Sequence, residues 1–300
     1  MDTKILLENG TNELEVLEFK LGDNSYGINV AKISEIIPYA PVTPVPNSHP
    51  SIEGIFMPRD KMITAISLKN AMQLGESTPD GLFIITNFNK LDVAFHVDKV
   101  IGISRFSWKD IIKPDSTINT EDDGISTGVI KLDDRLVIIL DFEKIVTDIS
   151  PETGLKVNEV NQLSERERSD ASILIAEDSH LLNKLISDAL STAGYVKQKR
   201  TEDGLEAWNY INKCLSEGTV DKNIDLVITD IEMPQMDGHR LTKLIKSDDR
   251  LKHIPVVIFS SLVNDEMRKK GESLGANAQL SKPEIGKLVE EIDRLLSYQV

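Results

Sequence analysis

The sequence has almost no cysteine and no long apolar run. Its 300 residues include one cysteine, Cys214, which excludes an intrachain disulfide and a cysteine-based metal site. No apolar run approaches the roughly 20 residues that a membrane-spanning helix needs. The N-terminus, MDTKILLENG, starts with an acidic residue and lacks a small-residue cleavage site, so it does not resemble a secretory signal. We therefore expect a cytoplasmic protein with no segment inserted in the membrane.

Basic residues are also scarce. Lys and Arg number 34 against 49 Asp and Glu, which gives a net charge of −15. Nucleic-acid binding requires clustered cations to neutralise phosphates, so DNA and RNA are disfavoured as ligands. The five histidines form no HxxxH or HExxH pair, which disfavours a zinc enzyme. With 40% hydrophobic and 28% charged residues, the composition is typical of a folded protein, and its length suggests two domains.

The first half of the chain is rich in short β-type runs. Several runs alternate apolar and polar residues, which is typical of half-buried strands. The turn residues Gly22–Asp23–Asn24 indicate a hairpin, and the four prolines in Pro41–Pro50 exclude a helix there. These features predict an all-β domain. The runs include Glu15–Lys20, Ile52–Met57, Lys61–Ser67, Leu82–Asn87, Leu91–Val97 and Leu136–Leu140.

Composition divides the chain into four predicted segments. Residues 1–12 form an N-terminal segment, and residues 13–147 form the all-β domain. Residues 148–171 are polar, of mixed charge and interrupted by proline and glycine, so they are interpreted as a linker. Residues 172–300 form the second domain.

The second domain alternates buried strands with helical patterns. Continuous apolar runs occur at Ile173–Ala176, Leu226–Thr229 and Pro255–Phe259, and residues 279–281 form a short last run. Between them, apolar residues recur at helical spacing. Repeated strand–helix units predict an α/β fold with a doubly wound parallel sheet.

Polar residues follow these strands at the edge where ligands bind in open α/β sheets. Glu177 and Asp178 follow the first run, and Asp230 follows the second. Ser260 ends the third run, and Lys282 follows the last. Three carboxylates, a hydroxyl and an ammonium group are therefore expected to converge.

This set of side chains suits phosphoryl transfer. Clustered carboxylates repel one another and favour a divalent cation, and an open set of oxygen ligands suits Mg²⁺. Asp230 would attack the phosphoryl group. Lys282 and the metal would offset the charge on the transferring oxygens, and Ser260 would hydrogen-bond one of them.

Residues 172–300 resemble the response-regulator receiver family. The matching residues are those named above and the segment Asp230–Gly238, DIEMPQMDG. The resemblance implies a flavodoxin-like fold with five parallel strands, phosphorylation on Asp230 and a metal ligand from the backbone carbonyl of Glu232. Gln279 departs from the family, which often places an aromatic residue three positions before the lysine.

Each of these residues also has a structural interpretation. Glu177 and Asp178 alone could cap a helix, and Lys282 alone could be a surface lysine. A receiver that has lost its activity is a further alternative. The joint agreement in residue type, order and strand context favours an active acceptor site.

The first domain resembles the CheW-like coupling domain, and the whole arrangement resembles proteins of the CheV type. The resemblance is carried by the segments Phe19–Gly22, Tyr26–Val30, Ile33–Ile37, Thr43–Pro46, Ile52–Ile55 and Ile63–Leu68, and by the opening Ile5–Glu15. It implies two SH3-like five-stranded barrels. It also implies binding to the chemotaxis histidine kinase and to the tips of chemoreceptors, in arrays at the membrane.

The family's receptor-facing positions fall on Ile33, Glu35 and Arg59. The family usually has Asn–Leu–Arg–Gly around that arginine, whereas this chain has Met57–Pro58–Arg59–Asp60. Ordinary strand packing remains an alternative for Ile33 and Glu35.

The resemblance implies a chemotaxis adaptor, not an enzyme with a substrate of its own. It would couple receptors to the kinase and be modulated in adaptation by transfer of phosphate from the kinase's histidine to Asp230. One alternative is a phosphate sink tethered to the receptor–kinase array. Another is an output regulator that binds DNA or has an enzymatic activity, which the charge and motif content disfavour.

Overall fold

A tight hairpin opens the described part of the chain in the structure, a computed structural model. Strand β1 (Glu13–Leu21) pairs antiparallel with β2 (Asn24–Asn29), and the register Leu21↔Asn24 leaves Gly22 and Asp23 as the turn. Gly22 has a φ of +59°, in the left-handed region that favours glycine and that two-residue hairpin turns require. The hairpin predicted at this position is confirmed.

The structure describes residues 13–88, 91–112, 124–150, 168–262, 265–282 and 284–297. Among them, residues 14–150 belong to one compact unit, and residues 168–297 belong to the other. The predicted segment 1–12 and positions 151–167 of the predicted linker lie outside the described residues.

The described strands of the first unit form two sheets. One has five strands in the order β3-β6-β7-β5-β4, and the other has six in the order β8-β1-β2-β11-β10-β9. An all-β domain with two sheets is confirmed, but the prediction of five strands in each sheet is wrong for the second. Its additional strand is the short β9, which pairs with β10. The remaining strands are β3 (Ile33–Pro38), β4 (Ile52–Phe56), β5 (Ile63–Ser67), β6 (Leu82–Phe88), β7 (Leu91–Val97), β8 (Lys99–Ser107), β9 (Ile111–Ile112), β10 (Ser126–Lys131) and β11 (Leu136–Leu140).

In the described part of the first unit, two α-helices accompany these sheets, α1 (Leu68–Ala71) and α2 (Phe142–Ile149). Asp141 caps α2 by accepting a hydrogen bond from the backbone N–H of Lys144 at 2.9 Å. The ring of Phe142 packs edge-on against Phe95 in the core. Helix α2 ends at Ile149, one residue past position 148, where the linker is predicted to begin.

The second unit contains a five-stranded sheet in the order β13-β12-β14-β15-β16, with all neighbours parallel. The predicted α/β fold with five parallel strands is confirmed. The strands are β12 (Ser169–Ala176), β13 (Tyr195–Thr201), β14 (Leu226–Thr229), β15 (Val256–Ser260) and β16 (Ala278–Ser281). The helices are α3 (His180–Thr192), α4 (Gly204–Glu217), α5 (Val220–Asn223), α6 (Gly238–Ser247), α7 (Asp265–Ser273) and α8 (Ile285–Ser297).

Both faces of this sheet are buried. On β12, Ile173 and Ile175 join one apolar cluster with residues of α3 and α8. Leu174 and Ala176 point to the other face and join a cluster with residues of α4 and α6. Burial on both faces explains why the central strands are continuous apolar runs instead of alternating ones.

Candidate functional site

The three predicted carboxylates meet at one edge of the parallel sheet. Strands β12 and β14 pair in parallel with Ala176 opposite Thr229, so the residues that follow each strand are neighbours. The Asp230 backbone N–H donates to the Ala176 carbonyl at 3.0 Å. One carboxylate oxygen from each of Glu177, Asp178 and Asp230 lies within 4.8 Å of the others. Glu177 and Asp230 are buried, with 2% and 5% of their surface exposed.

Lys282 neutralises part of this charge. Its Nζ lies 2.8 Å from Asp230 Oδ2, and 3.2 and 3.1 Å from the two carboxylate oxygens of Glu177. The lysine is 6% exposed, which excludes its interpretation as a surface residue. Strand β16 positions it, because the Lys282 backbone N–H donates to the Ser260 carbonyl at 3.2 Å. A buried ammonium group is therefore directed at the acidic cluster.

Ser260 lies on the neighbouring strand. It is the last residue of β15 and is fully buried, opposite Ser281 in the parallel register. Its hydroxyl oxygen accepts a hydrogen bond from the Leu262 backbone N–H at 3.2 Å, so its proton can still be donated to another acceptor.

The loop after β14 fixes the backbone of Asp230. Asp230 Oδ1 accepts a hydrogen bond from the Ile231 N–H at 2.6 Å. Gly238 approaches so closely that a Cβ there would lie 1.8 Å from the Asp230 carbonyl oxygen. Asp237 caps α6 by accepting from the Arg240 N–H at 2.7 Å. Glu232, the predicted carbonyl ligand, lies half-buried in the same loop. The Asp237–Gly238 pair is visible in the sequence. Neither the composition nor the spacing of apolar residues, however, reveals that Gly238 lies against the backbone of Asp230.

The electrostatics favour an added cation. Burial raises the pKa of Glu177 well above its ordinary value, Lys282 opposes that shift, and repulsion from Asp230 and Asp178 adds to it. Glu177 Oε2 is buried and has no hydrogen bond, although it is within ion-pair distance of Lys282. Oxygen ligands of this kind suit a hard divalent cation, so the residues present fit a magnesium site.

Of the predicted partner-facing residues, Ile33 and Glu35 lie in β3 of the five-stranded sheet, and Arg59 lies in the turn between β4 and β5. Arg59 and Glu35 form an ion pair with an N–O distance of 3.0 Å, and the Arg59 side chain is 83% exposed. Arg59 and Asp60 have φ values of +50° and +65°, so the turn that presents the arginine adopts a conformation L-residues rarely take. Ile33 is half-buried and packs against the core, which supports its structural interpretation. Two of the three residues predicted to face a partner, Glu35 and Arg59, are thus paired with each other.

No helix among the described residues is long and apolar enough to span a bilayer.

Family models match both units. The model of the CheW-like domain matches residues 15–150, and the model of the response regulator receiver domain matches residues 173–293. The chain is 30% identical to the chemotaxis protein CheV3 of Helicobacter pylori, and the match covers 95% of each chain. It is 29% identical to CheV2 of the same organism over 95% of this chain and 96% of that one. A solved scaffolding protein, TtCheW from Thermoanaerobacter tengcongensis, covers 44% of this chain and 86% of its own at 25% identity, with a TM-score of 0.41.

Proposed function

The chain belongs to the CheV family of chemotaxis proteins, in which a CheW-like domain precedes a receiver domain, and we propose that Asp230 accepts a phosphoryl group that modulates its coupling role. The donor is the phosphohistidine of the chemotaxis histidine kinase. The first unit holds that kinase and the chemoreceptor tips together, and phosphorylation of the second unit contributes to adaptation.

One observation carries this proposal: Asp230 is held at a strand end with a buried cation 2.8 Å from one of its oxygens. An Asp230 oxygen forms a bond to phosphorus as the bond from phosphorus to the kinase's histidine nitrogen breaks. The leaving imidazole keeps the electron pair of that bond. Lys282 stabilises charge on the incoming phosphoryl oxygens, and the Ser260 hydroxyl donates a hydrogen bond to one of them.

We assign the cation site to Glu177, Asp178 and Asp230, together with the carbonyl of Glu232. Mg²⁺ bound there would offset negative charge on the transferring phosphoryl group. The buried Glu177 oxygen that lacks a hydrogen bond supports this assignment. Ser179, whose N–H donates to Glu177 Oε1 at 3.2 Å, holds the carboxylate in place.

Glu35 and Arg59 are the proposed contact residues of the coupling unit. The arginine is exposed, and its partner carboxylate limits the directions in which the guanidinium group can point. A guanidinium group held in this way suits recognition of an acidic or amide-rich surface on a receptor or kinase.

Phosphotransfer is the test of the acceptor assignment. The full chain is mixed with Mg²⁺ and autophosphorylated kinase, and label transfer is compared for wild type, Asp230→Asn and Asp249→Asn. Asp249 provides the same chemical change at a side chain that is 91% exposed. Wild type and Asp249→Asn should become labelled, and Asp230→Asn should not. Label on Asp230→Asn, or none on wild type, would contradict the assignment.

The phosphate sink remains the second candidate, because the same acceptor chemistry serves both roles. The two differ in the effect of Asp230→Asn on receptor control of the kinase. An adaptor regulated by phosphate loses adaptation in that variant. If the protein is a sink, the Asp230→Asn variant keeps adaptation, and the kinase passes phosphate faster to other receivers.

A further inference from the structure

The methionines in the described part of the chain divide sharply by exposure. Met57 and Met62 are 64% and 66% exposed. The other described methionines are buried or half-buried: Met72, Met233, Met236 and Met267. Because a thioether must contact an oxidant to react with it, an oxidant in solution reaches Met57 and Met62 first.

The two exposed methionines flank the proposed contact residue Arg59. Strands β4 and β5 pair as far as Phe56 opposite Ile63, so Met57 and Met62 stand at the two ends of the turn between these strands. The exposed guanidinium group of Arg59 is presented from the same turn. Methionine is over-represented at adaptable binding surfaces, because its flexible thioether fits the shape of a partner. The position of this pair therefore connects an oxidisable group to the coupling surface.

We propose that Met57 and Met62 are a reversible oxidation site, and that their conversion to methionine sulfoxide by a peroxide weakens the binding of a partner at Arg59. The inference rests on the proposed coupling role of Glu35 and Arg59. It does not depend on phosphorylation of Asp230.

The reaction with hydrogen peroxide balances without a further reactant. The thioether sulfur attacks one peroxide oxygen, so that an S–O bond forms and the O–O bond breaks. The released hydroxide takes the proton from the oxygen on sulfur and becomes water. Sulfur loses two electrons and the peroxide gains them.

A sulfoxide changes this surface in two ways. It replaces an apolar group with a polar one, and a polar group covered by a partner costs free energy unless it finds a hydrogen bond there. Its oxygen is also a hydrogen-bond acceptor close in the chain to Arg59, whose guanidinium group has five N–H donors and pairs with Glu35 through only part of them. An oxidised methionine at either end of the turn therefore competes with the partner for the arginine.

General oxidative damage is the alternative explanation for a loss of binding. Cys214 is the other sulfur that an oxidant can modify, and it is buried. Sulfoxide reductases restore methionine sulfoxide but do not act on an oxidised cysteine. Recovery of binding on treatment with these reductases therefore assigns the loss to methionine.

The test is peroxide treatment of the full chain, followed by measurement of its binding to a chemoreceptor cytoplasmic fragment and to the chemotaxis kinase. Peptide mass mapping follows the oxidation of each methionine. The double variant Met57→Leu/Met62→Leu removes both sulfurs and keeps apolar side chains of similar volume. Met72→Leu is the matched control, because it makes the same change at a half-buried methionine of the same unit. Each protein is compared with its own untreated sample.

Sulfoxide should form at positions 57 and 62 before it forms at 233, 236 and 267. Oxidation should weaken binding by wild type and by Met72→Leu about fivefold or more, the factor that corresponds to loss of one energetically important interface contact. Binding by the double variant should not change on treatment. The two sulfoxide reductases, one for each sulfoxide epimer, should restore binding by wild type.

The possible failures are distinguishable. If Met57 and Met62 are oxidised and wild type binds as before, the inference is overturned and the coupling role stands. Earlier oxidation of the buried methionines, an equal loss of binding in the double variant, or no recovery with the reductases overturns it as well. If untreated wild type binds neither the receptor fragment nor the kinase, the proposed coupling role fails, and the inference fails with it.

Discussion

At the scale of single residues, His96 is a buried titratable group outside the phosphorylation site. Its Nδ1 lies 2.7 Å from Glu53 Oε1 and its Nε2 lies 2.5 Å from the Asp80 carbonyl, and the ring packs against both Tyr39 and Phe83. Burial alone lowers the pKa of His96, but the hydrogen bonds to Glu53 and Asp80 and the nearby charges of Glu53 and Asp98 raise it above its ordinary value. Both ring nitrogens therefore have acceptors when the ring is protonated.

The sign of the pH effect follows from this shift. A pKa that is higher in the folded than in the unfolded state stabilises the fold fully below about 6.5, and the contribution is lost as pH rises through the folded value. The stability difference between wild type and His96→Gln should therefore be largest in acid and shrink above pH 6.5. This stability difference is measured by urea unfolding at several pH values. Trp108 fluorescence reports the transition of the first unit, and a Trp208→Phe background removes the signal of the second unit. A difference that grows with pH would contradict the assignment.

Lys282 gives a second prediction at this scale. Lys282→Ala leaves two buried carboxylates without their cation, which should lower the stability of the second unit by about 3–5 kcal/mol in Mg²⁺-free buffer. The same variant should bind Mg²⁺ more tightly, because the ammonium group no longer competes for the carboxylates. Unfolding followed by Trp208, together with a calorimetric Mg²⁺ titration, checks both effects.

Lys287→Ala is the control, since that lysine pairs with Glu284 on an exposed surface. Weaker Mg²⁺ binding by Lys282→Ala would show that the lysine organises the site and does not compete with the metal.

The identities of the site residues were the easiest part of the site to predict from the sequence. Asp230, Ser260 and Lys282 each follow or end an apolar run, and parallel pairing brings such positions to one edge. Gly238 was harder to interpret, because its importance lies in a close approach between two elements that no local pattern contains. His96 stands in β7, whose last five residues are all buried, and the sequence gives no sign of its two acceptors.

At the scale of elements, the start of α6 constrains the acceptor loop. The Asp230 carbonyl occupies the place that a Cβ at Gly238 would need, and it is backbone, which cannot rotate away. Gly238→Ala should therefore destabilise the second unit by about 1–3 kcal/mol or more and reduce phosphotransfer. Gly102→Ala, where a Cβ would meet nothing within 4 Å, is the control. Equal stability and transfer in the two variants would refute the constraint.

The sequence predicted the buried central strands of the parallel sheet, but it did not reveal the strand at one edge of that sheet. Strand β13 (Tyr195–Thr201) is an edge strand, and only its first and last residues are buried. Its sequence, YVKQKRT, carries three cations, as edge strands often do to prevent unwanted pairing, so it lacks the apolar run that revealed the central strands. The short β9 lacks a detectable pattern for a different reason, since two residues cannot establish a period.

At the scale of the whole molecule, the two tryptophans report on different units. Trp108 packs in the core of the first unit, and Trp208 lies on α4 of the second. Mg²⁺ at 100 times its dissociation constant should stabilise the second unit by about 2.7 kcal/mol. The unfolding transition seen by Trp208 should shift accordingly, and that seen by Trp108 should not. Equal shifts of both transitions would argue against a metal site confined to the second unit.

The pairing of β2 with β11 has a consequence for synthesis. Ser25 lies opposite Val137, 112 positions later in the chain, with the whole five-stranded sheet encoded between them. At ribosomal rates of about 5–20 residues per second, the β1–β2 hairpin waits roughly 5–20 s for this partner strand. During that time its apolar residues, Phe19 and Ile28 among them, have no completed core to enter. The nascent N-terminal unit is therefore a natural client for chaperones that bind extended apolar segments.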